Sequence, residues 1–138
     1  MLNERPIPEA ALRARHFLVL RRVLRTDPAN PNAFTEEDIE RYVEAWSRCG
    51  DFSGPVNYYR ALRYLKLRGL KERLRPIDIP TLVIWGDQDR YLGRALAEPP
   101  RAHVPRARVE RLPRASHWVH LDEPERVNAL LLSFLHGE

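Results

Sequence analysis

Two short polar segments of the sequence carry side chains that could cooperate in acid–base chemistry. The first is Gly86-Asp87-Gln88-Asp89 and the second is Ala115-Ser116-His117-Trp118. A carboxylate bonded to one imidazole nitrogen fixes the histidine tautomer and stabilises the protonated ring, which leaves the other nitrogen free to act as a base. Histidine side chains ordinarily titrate near neutral pH and therefore suit this role. The predicted pair is an acid of the first segment with His117.

Each of these side chains also has an interpretation without chemistry. Asp87 and Asp89 belong to a residue type that forms turns by bonding its own backbone. His117 alone could be a loop histidine with structural hydrogen bonds, and Trp118 could either shape a pocket or simply pack. The chemical interpretation depends on finding the acid and the histidine at the same place.

The pattern of residues 9–70 predicts helices only. A first helix from about Pro8 to Arg25 is predicted from residues at steps of three and four, which are Leu12, Arg15, His16, Val19 and Val23. Prolines then interrupt the helical pattern at residues 27–32. Thr35 is the predicted N-cap of a second helix, whose apolar stripe is Ile39, Tyr42, Val43 and Trp46. A third helix is predicted from about Val56 to Leu70.

The pattern changes after residue 75. A continuous apolar run, Thr81–Trp85, is typical of a buried parallel strand, and Arg108–Leu112 alternates as a second strand. A short helix is predicted around Leu92–Glu98, and a last helix from Asp122, with an acid at its cap and a proline in its first turn. Strand, helix, strand and helix in this order predict an α/β unit with parallel strands. Because such strands end at one edge of a sheet, the two polar segments should meet there.

Composition excludes several classes of protein. No apolar run approaches the roughly 18 residues that span a bilayer, and the first residues lack the pattern of a secretory signal. The expected compartment is therefore the cytoplasm. The net charge is +4, but the basic residues, 21 of 23 of them Arg, are spread along the chain rather than gathered with aromatics, so we expect no nucleic-acid partner. A single cysteine excludes an internal disulfide.

Metal and cofactor sites are not predicted either. His117, His120 and Asp122 have a superficial likeness to a zinc ligand set. Two histidines three residues apart, without a third well-placed ligand, are poor support for such a site. We therefore expect neither a metal nor a cofactor.

Three further stretches give the sequence a family resemblance. The stretches Gly86–Asp89, Ala115–Val119 and Asp122–Val127 closely resemble the end of α/β-hydrolases of the epoxide hydrolase and haloalkane dehalogenase group. Upstream, Phe34–Glu40 and Asn57–Ala61 are similar to the helical cap of the same group. The resemblance implies an α/β fold in which residues 1–74 are part of a helical cap and residues 75–138 are the C-terminal part of the core.

The resemblance also implies roles for individual residues. In that family the second acid of the G-x-x-D stretch orients the catalytic histidine, which matches Asp89 and His117. A cap tyrosine at the N-x-Y-R position, here Tyr59, donates a hydrogen bond to the epoxide oxygen. Tyr58 and Trp118 are candidates for the substrate pocket, although one of the two adjacent tyrosines could equally be a core aromatic.

Two elements of the family are missing from the sequence. It has neither the G-x-D-x-G turn of the nucleophilic aspartate nor the early His-Gly-x-Pro stretch. The resemblance thus implies part of a hydrolase that converts an epoxide to a diol through an aspartyl ester and that is inactive alone. The alternatives are a haloalkane or haloacid dehalogenase-type hydrolase, and a non-catalytic remnant acting as an interaction module. The expected partners are a small hydrophobic epoxide or organohalide and a complementary N-terminal half, or a second copy bound through an open sheet edge.

Overall fold

The computed structural model describes residues 9–48, 50, 52–62, 64 and 74–137. The chain divides into two compact units. A helical unit contains the three helices before residue 65, and a sheet unit contains both strands and every element after them. The loop Thr26–Ala33 belongs to the sheet unit, although it lies between two helices of the other unit in sequence.

Helix α1, Glu9–Thr26, is not the continuous helix that the spacing predicted. It is interrupted at Ala14–Phe17, where Arg15, His16 and Phe17 have φ angles of 49°, 55° and 58°. The interruption turns the Phe17 ring into the interior, where it is 4% exposed. Its centroid lies 5.7 Å from that of Trp46 and 5.6 Å from that of Phe52. The predicted stripe is wrong in its middle, because aromatic packing at Phe17 takes precedence over regular helix there.

Helix α2, Glu36–Arg48, has the predicted cap. The Thr35 hydroxyl accepts a hydrogen bond from the backbone N–H of Asp38 at 3.1 Å, and the Asp38 carboxylate accepts one from the N–H of Thr35 at 3.0 Å. This reciprocal pair satisfies amide groups that the first turn leaves without helical partners. Two residues of the predicted stripe, Ile39 and Val43, are buried. The sequence therefore predicted this helix correctly.

Helix α3, Ser53–Leu62, begins three residues before its predicted start. Of the rest of its predicted length, Tyr64 lies in a turn instead of the helix, and residues 63 and 65–70 lie outside the described residues. Three ion pairs connect the helices of this unit: Arg21 with Glu40, Arg25 with Glu36, and Arg60 with Glu9. Some of the arginines thus pair with carboxylates on other helices of this unit.

The sheet unit contains two parallel strands, as predicted. Strand β1, Thr81–Gly86, pairs with strand β2, Ala107–Leu112, in the register Thr81 to Ala107 through Gly86 to Leu112. Between the strands there is one 3₁₀ turn, Arg94–Ala97, instead of the helix predicted over residues 92–98. Two prolines follow at residues 99 and 100 and prevent the turn from continuing.

Two helices follow β2. Helix α4, Val119–Asp122, was not predicted, and helix α5, Pro124–His136, begins with a proline and ends at Gly137 in the left-handed conformation (φ 78°). The predicted acid is at the cap position, Glu123, but its side chain makes no capping hydrogen bond. The sheet unit has a small core that consists of Leu112, Ala115, Val127 and Leu130. In the described part of the chain, no helix has the length and apolarity needed to cross a membrane.

Candidate active site

Backbone hydrogen bonds join the loops that follow the two strands. The N–H of Asp87 donates to the carbonyl of Leu112 at 3.0 Å, and the N–H of Gln88 donates to the carbonyl of Ala115 at 2.9 Å. The parallel ladder is thus extended beyond the end of β1. As a result the loop carrying Asp89 lies beside the loop carrying His117.

Gly86 makes this close approach possible. A Cβ atom at this position would overlap the backbone carbonyl groups of Ala115 and Ser116. Backbone atoms cannot move aside as the end of a flexible side chain can. A residue without a side chain is therefore required where β1 meets the second loop.

Asp89 and His117 meet between these loops. The Nδ1 atom of His117 lies 2.9 Å from Oδ2 of Asp89, and the other carboxylate oxygen, Oδ1, accepts the N–H groups of Tyr91 at 2.8 Å and Leu92 at 3.0 Å. The Asp89 side chain is only 7% exposed, whereas that of His117 is 41% exposed. The acid is therefore fixed by its own turn while the histidine faces outward.

The surroundings of Asp89 keep its carboxylate ionised. Burial alone would raise its pKa, but the hydrogen bond from His117 and the amides of Leu92 and Tyr91 outweigh burial, so the pKa is lowered. An ionised Asp89 makes Nδ1 of His117 the protonated, donating nitrogen. Within the described residues, no hydrogen bond engages Nε2, which is left as the nitrogen that could accept a proton.

Asp87, the other acid of the first segment, has a different function. Its Oδ1 atom accepts bonds from Nε and a terminal nitrogen of Arg111, at 2.9 Å and 2.5 Å. This ion pair ties the first loop to β2. The geometry therefore separates the two acids that the sequence alone left as alternatives.

Two aromatic rings pack against the imidazole. The Trp118 ring lies at a centroid distance of 6.1 Å and an interplanar angle of 87°, and the Tyr91 ring at 5.3 Å and 73°. Trp118 was a sequence candidate. Tyr91 was missed, although its position two residues after the candidate acid was an available signal.

A second carboxylate, that of Asp122, fixes the loop that carries His117. Its Oδ2 atom accepts the N–H of Ser116 at 2.7 Å and the Ser116 hydroxyl at 2.5 Å, and its Oδ1 accepts the N–H of Asn30 at 2.8 Å. The same hydroxyl accepts the N–H of Trp118 at 3.1 Å. Asp122 is thus engaged in holding the loop, and no local pattern in the sequence indicated this.

The remaining candidates, Tyr58 and Tyr59, lie on α3 of the helical unit. They are 66% and 70% exposed, and their rings contact each other edge to face at 5.4 Å. Neither is a core aromatic, so that alternative is wrong. Their roles toward a substrate stay predictions.

Comparisons with known proteins identify the family. A family model described as "Alpha/beta hydrolase family" matches residues 2–130. The chain therefore belongs to the α/β-hydrolase family.

Individual relatives lie in the same family. The chain is 36% identical over 132 residues to the AB hydrolase superfamily protein YfhM of Bacillus subtilis, covering 96% of this chain and 45% of that protein. It is 32% identical over 135 residues to epoxide hydrolase 2 of Caenorhabditis elegans, covering 96% and 38%. The crystal structure of an epoxide hydrolase from Bacillus megaterium superposes with a TM-score of 0.73 at 25% identity, covering 93% and 47%. The chain thus spans less than half the length of these relatives.

Proposed function

We propose that this chain supplies the base of an epoxide hydrolase-like reaction, with His117 as the base and Asp89 as its orienting acid. The observation that carries the proposal is the 2.9 Å contact between His117 Nδ1 and a nearly buried, ionised Asp89. Several relatives that are named epoxide hydrolases support the choice of an epoxide as substrate.

The proposed reaction has two covalent steps. An aspartate carboxylate attacks an epoxide carbon and the carbon–oxygen bond breaks. The epoxide oxygen, to which Tyr59 donates a hydrogen bond, takes up a proton from solvent. In the second step His117 Nε2 removes a proton from water, and the resulting hydroxide adds to the ester carbonyl. Collapse of that intermediate releases the diol, as the proton held by His117 passes to the alkoxide leaving group. The aspartic acid that remains loses its proton to solvent, which restores the carboxylate and balances the proton taken up in the first step.

The geometry of the sheet unit is suited to the second step. Ionised Asp89 stabilises the imidazolium that forms when His117 takes the proton of water. Trp118 and Tyr91 limit how far the ring can tilt, since both pack edge to face against it. The nucleophilic aspartate is assigned outside the residues that this sequence contains, because no G-x-D-x-G turn occurs in it.

A chimera tests the proposal. This chain would replace the matched 38% of Caenorhabditis elegans epoxide hydrolase 2, and diol formation would be followed with a simple aryl epoxide. We expect the chimera to form diol and the chain alone to form none above the buffer rate. In the His117→Ala chimera, diol formation should stop and the ester should accumulate, visible in the mass spectrum as an addition of the epoxide's mass.

His120→Ala is the matched control, because His120 is an exposed histidine three residues away. It should leave diol formation unchanged. Diol formation by the His117→Ala chimera would rule out His117 as the base, and diol formation by the chain alone would rule out a nucleophile elsewhere. Release of halide from an organohalide, without diol from epoxides, would favour the dehalogenase alternative.

A further inference from the structure

In the sheet unit, the loop Thr26–Ala33 lies against the loop that carries His117. Asn30 donates its backbone N–H to Asp122 at 2.8 Å and its side-chain amide to the carbonyl of Leu121 at 3.3 Å. Asp27 accepts the indole N–H of Trp118 at 3.0 Å. These three bonds connect residues about ninety positions apart, and none of them is explained by the proposed proton transfer.

Asp27 acts on both rings that contact His117. Its Oδ2 atom holds the Trp118 indole directly. It also lies near enough to Tyr91 to affect that hydroxyl, whose pKa is raised by burial first and then by the Asp27 carboxylate. One carboxylate is common to the two aromatic neighbours of the imidazole.

We propose that Asp27 is a positioning residue for His117, acting by holding the ring of Trp118 against the imidazole. This rests on the proposed role of His117 as a base, because a base must present its free nitrogen in one direction.

A single hydrogen bond does not fix the direction of an imidazole. The bond from Nδ1 to Asp89 allows the ring to tilt about the line joining the two atoms, and the ring is 41% exposed. Edge-to-face packing with the Trp118 ring limits that freedom only while the indole itself is held. Without Asp27 the Trp118 indole loses a charged acceptor and gains access to other rotamers.

Nuclear magnetic resonance of the chain itself tests the proposal without any turnover. The probes are the Trp118 indole N–H, assigned with Trp118→Phe, and ¹³C relaxation dispersion at the His117 ring. In Asp27→Ala we expect indole hydrogen exchange to accelerate by roughly ten- to a hundredfold, the range that corresponds to one charge-assisted bond. We also expect microsecond–millisecond exchange broadening at His117 that the unaltered chain lacks.

Two variants separate positioning from general destabilisation. Asp27→Asn keeps an oxygen that can accept the indole N–H, so the His117 ring should show no exchange broadening in this variant. Asp78→Ala removes an exposed carboxylate of the connector before β1 and should change neither probe. If Asp27→Ala does not fold, Trp118→Phe takes its place, because it removes the same bond and keeps a ring; it should broaden His117 as well.

An unchanged His117 ring in Asp27→Ala, or in Trp118→Phe where that variant replaces it, would overturn the proposal. So would an Asp27→Asn chain that behaves like Asp27→Ala. These results leave the assignment of His117 as a base intact, since that assignment depends on the chimera. Conversely, diol formation by the His117→Ala chimera would rule out His117 as the base, but it would not change these spectra.

Discussion

Both carboxylate oxygens of Asp89 are engaged within its own loop and by His117. Two backbone amides and one imidazole nitrogen compensate for the removal of the charge from water. The fold therefore keeps the Asp89 carboxylate ionised, and this carboxylate fixes the tautomer of His117. The chemistry proposed for this position would depend on the turn Asp89–Leu92 as much as on the acid.

The pKa of Asp89 leads to a prediction about acid stability. Because its folded-state pKa is lowered, Asp89 contributes stability that is present above the unfolded value of about 3.9 and is lost as pH falls through the folded value. The urea unfolding free energies of the unaltered chain and Asp89→Asn, measured from pH 7 to pH 2, should differ most near neutrality. The difference should shrink below about pH 4.

Other carboxylates with lowered pKa values, such as Asp38, are present in both proteins and cancel in that difference. A difference that stays constant over the whole pH range would contradict the assignment of an ionised, paired Asp89.

Gly86 gives a prediction about the junction of the two loops. Gly86→Ala should lower the unfolding free energy by about 1–3 kcal/mol, because the added carbon overlaps backbone carbonyls and the strand end must shift. Urea denaturation measures this loss, and the His117 ring spectrum should change with it.

Gly93→Ala is the matched control. A carbon added at Gly93 meets nothing within 4 Å, and its φ of −66° suits any residue. We expect a change within about 0.5 kcal/mol. Equal losses of unfolding free energy in Gly86→Ala and Gly93→Ala would show that the close approach of backbone carbonyls to Gly86 is not the cause.

At the scale of the elements, the interruption in α1 matters most. Phe17 fills the helical unit's core with Val43 and Phe52, at the position where the backbone leaves the helical conformation. Phe17→Ala should therefore lower the unfolding free energy of the helical unit by about 3–5 kcal/mol. Thermal unfolding followed by circular dichroism provides the measurement.

Val19→Ala tests the same helix on its outer face. Val19 is 55% exposed, so its truncation should cost no more than about 0.5 kcal/mol. A loss as large as that of Phe17→Ala would mean that the helix is continuous, with the predicted stripe facing inward.

Elements defined by local patterns were predictable from the sequence. The cap at Thr35 and the apolar run from Thr81 follow from interactions among near neighbours, and both are observed. The interruption of α1 was not predictable, because the spacing of apolar residues is compatible with a regular helix and only the partners of Phe17 make the break favourable. The one-turn helix Val119–Asp122 was missed because its stability comes from bonds to a distant loop.

The candidate site likewise has one part that the sequence predicted and another part that it did not. The meeting of Asp89 and His117 follows from the rule that parallel strands end at one edge. The role of Asn30 depends on a contact with Asp122 between segments far apart in sequence, which no short motif encodes. The contact between Ser116 and Asp122 is local, but it was not predicted from the sequence.

At the scale of the whole molecule, the sheet raises the question of association. In the described part of the chain the sheet consists of β1 and β2 only, so β1 has an edge without a strand neighbour there. Two parallel strands are a marginal sheet, and an open edge invites pairing. We predict concentration-dependent association in sedimentation velocity experiments, relieved when a complementary half is present. A monomer that melts cooperatively at all concentrations would contradict this.

The bonds made by Asp27 and Asn30 span 91 and 92 residues of the chain. During synthesis Asp27 and Asn30 are made about ninety residues before Trp118 and Asp122, so the early loop, Thr26–Ala33, cannot form these bonds until then. Such distant closure is slow compared with the formation of local helices. Asp89 and His117 are only 28 residues apart, so their contact can form before the early loop closes, and the orientation of the His117 ring would be fixed after that contact.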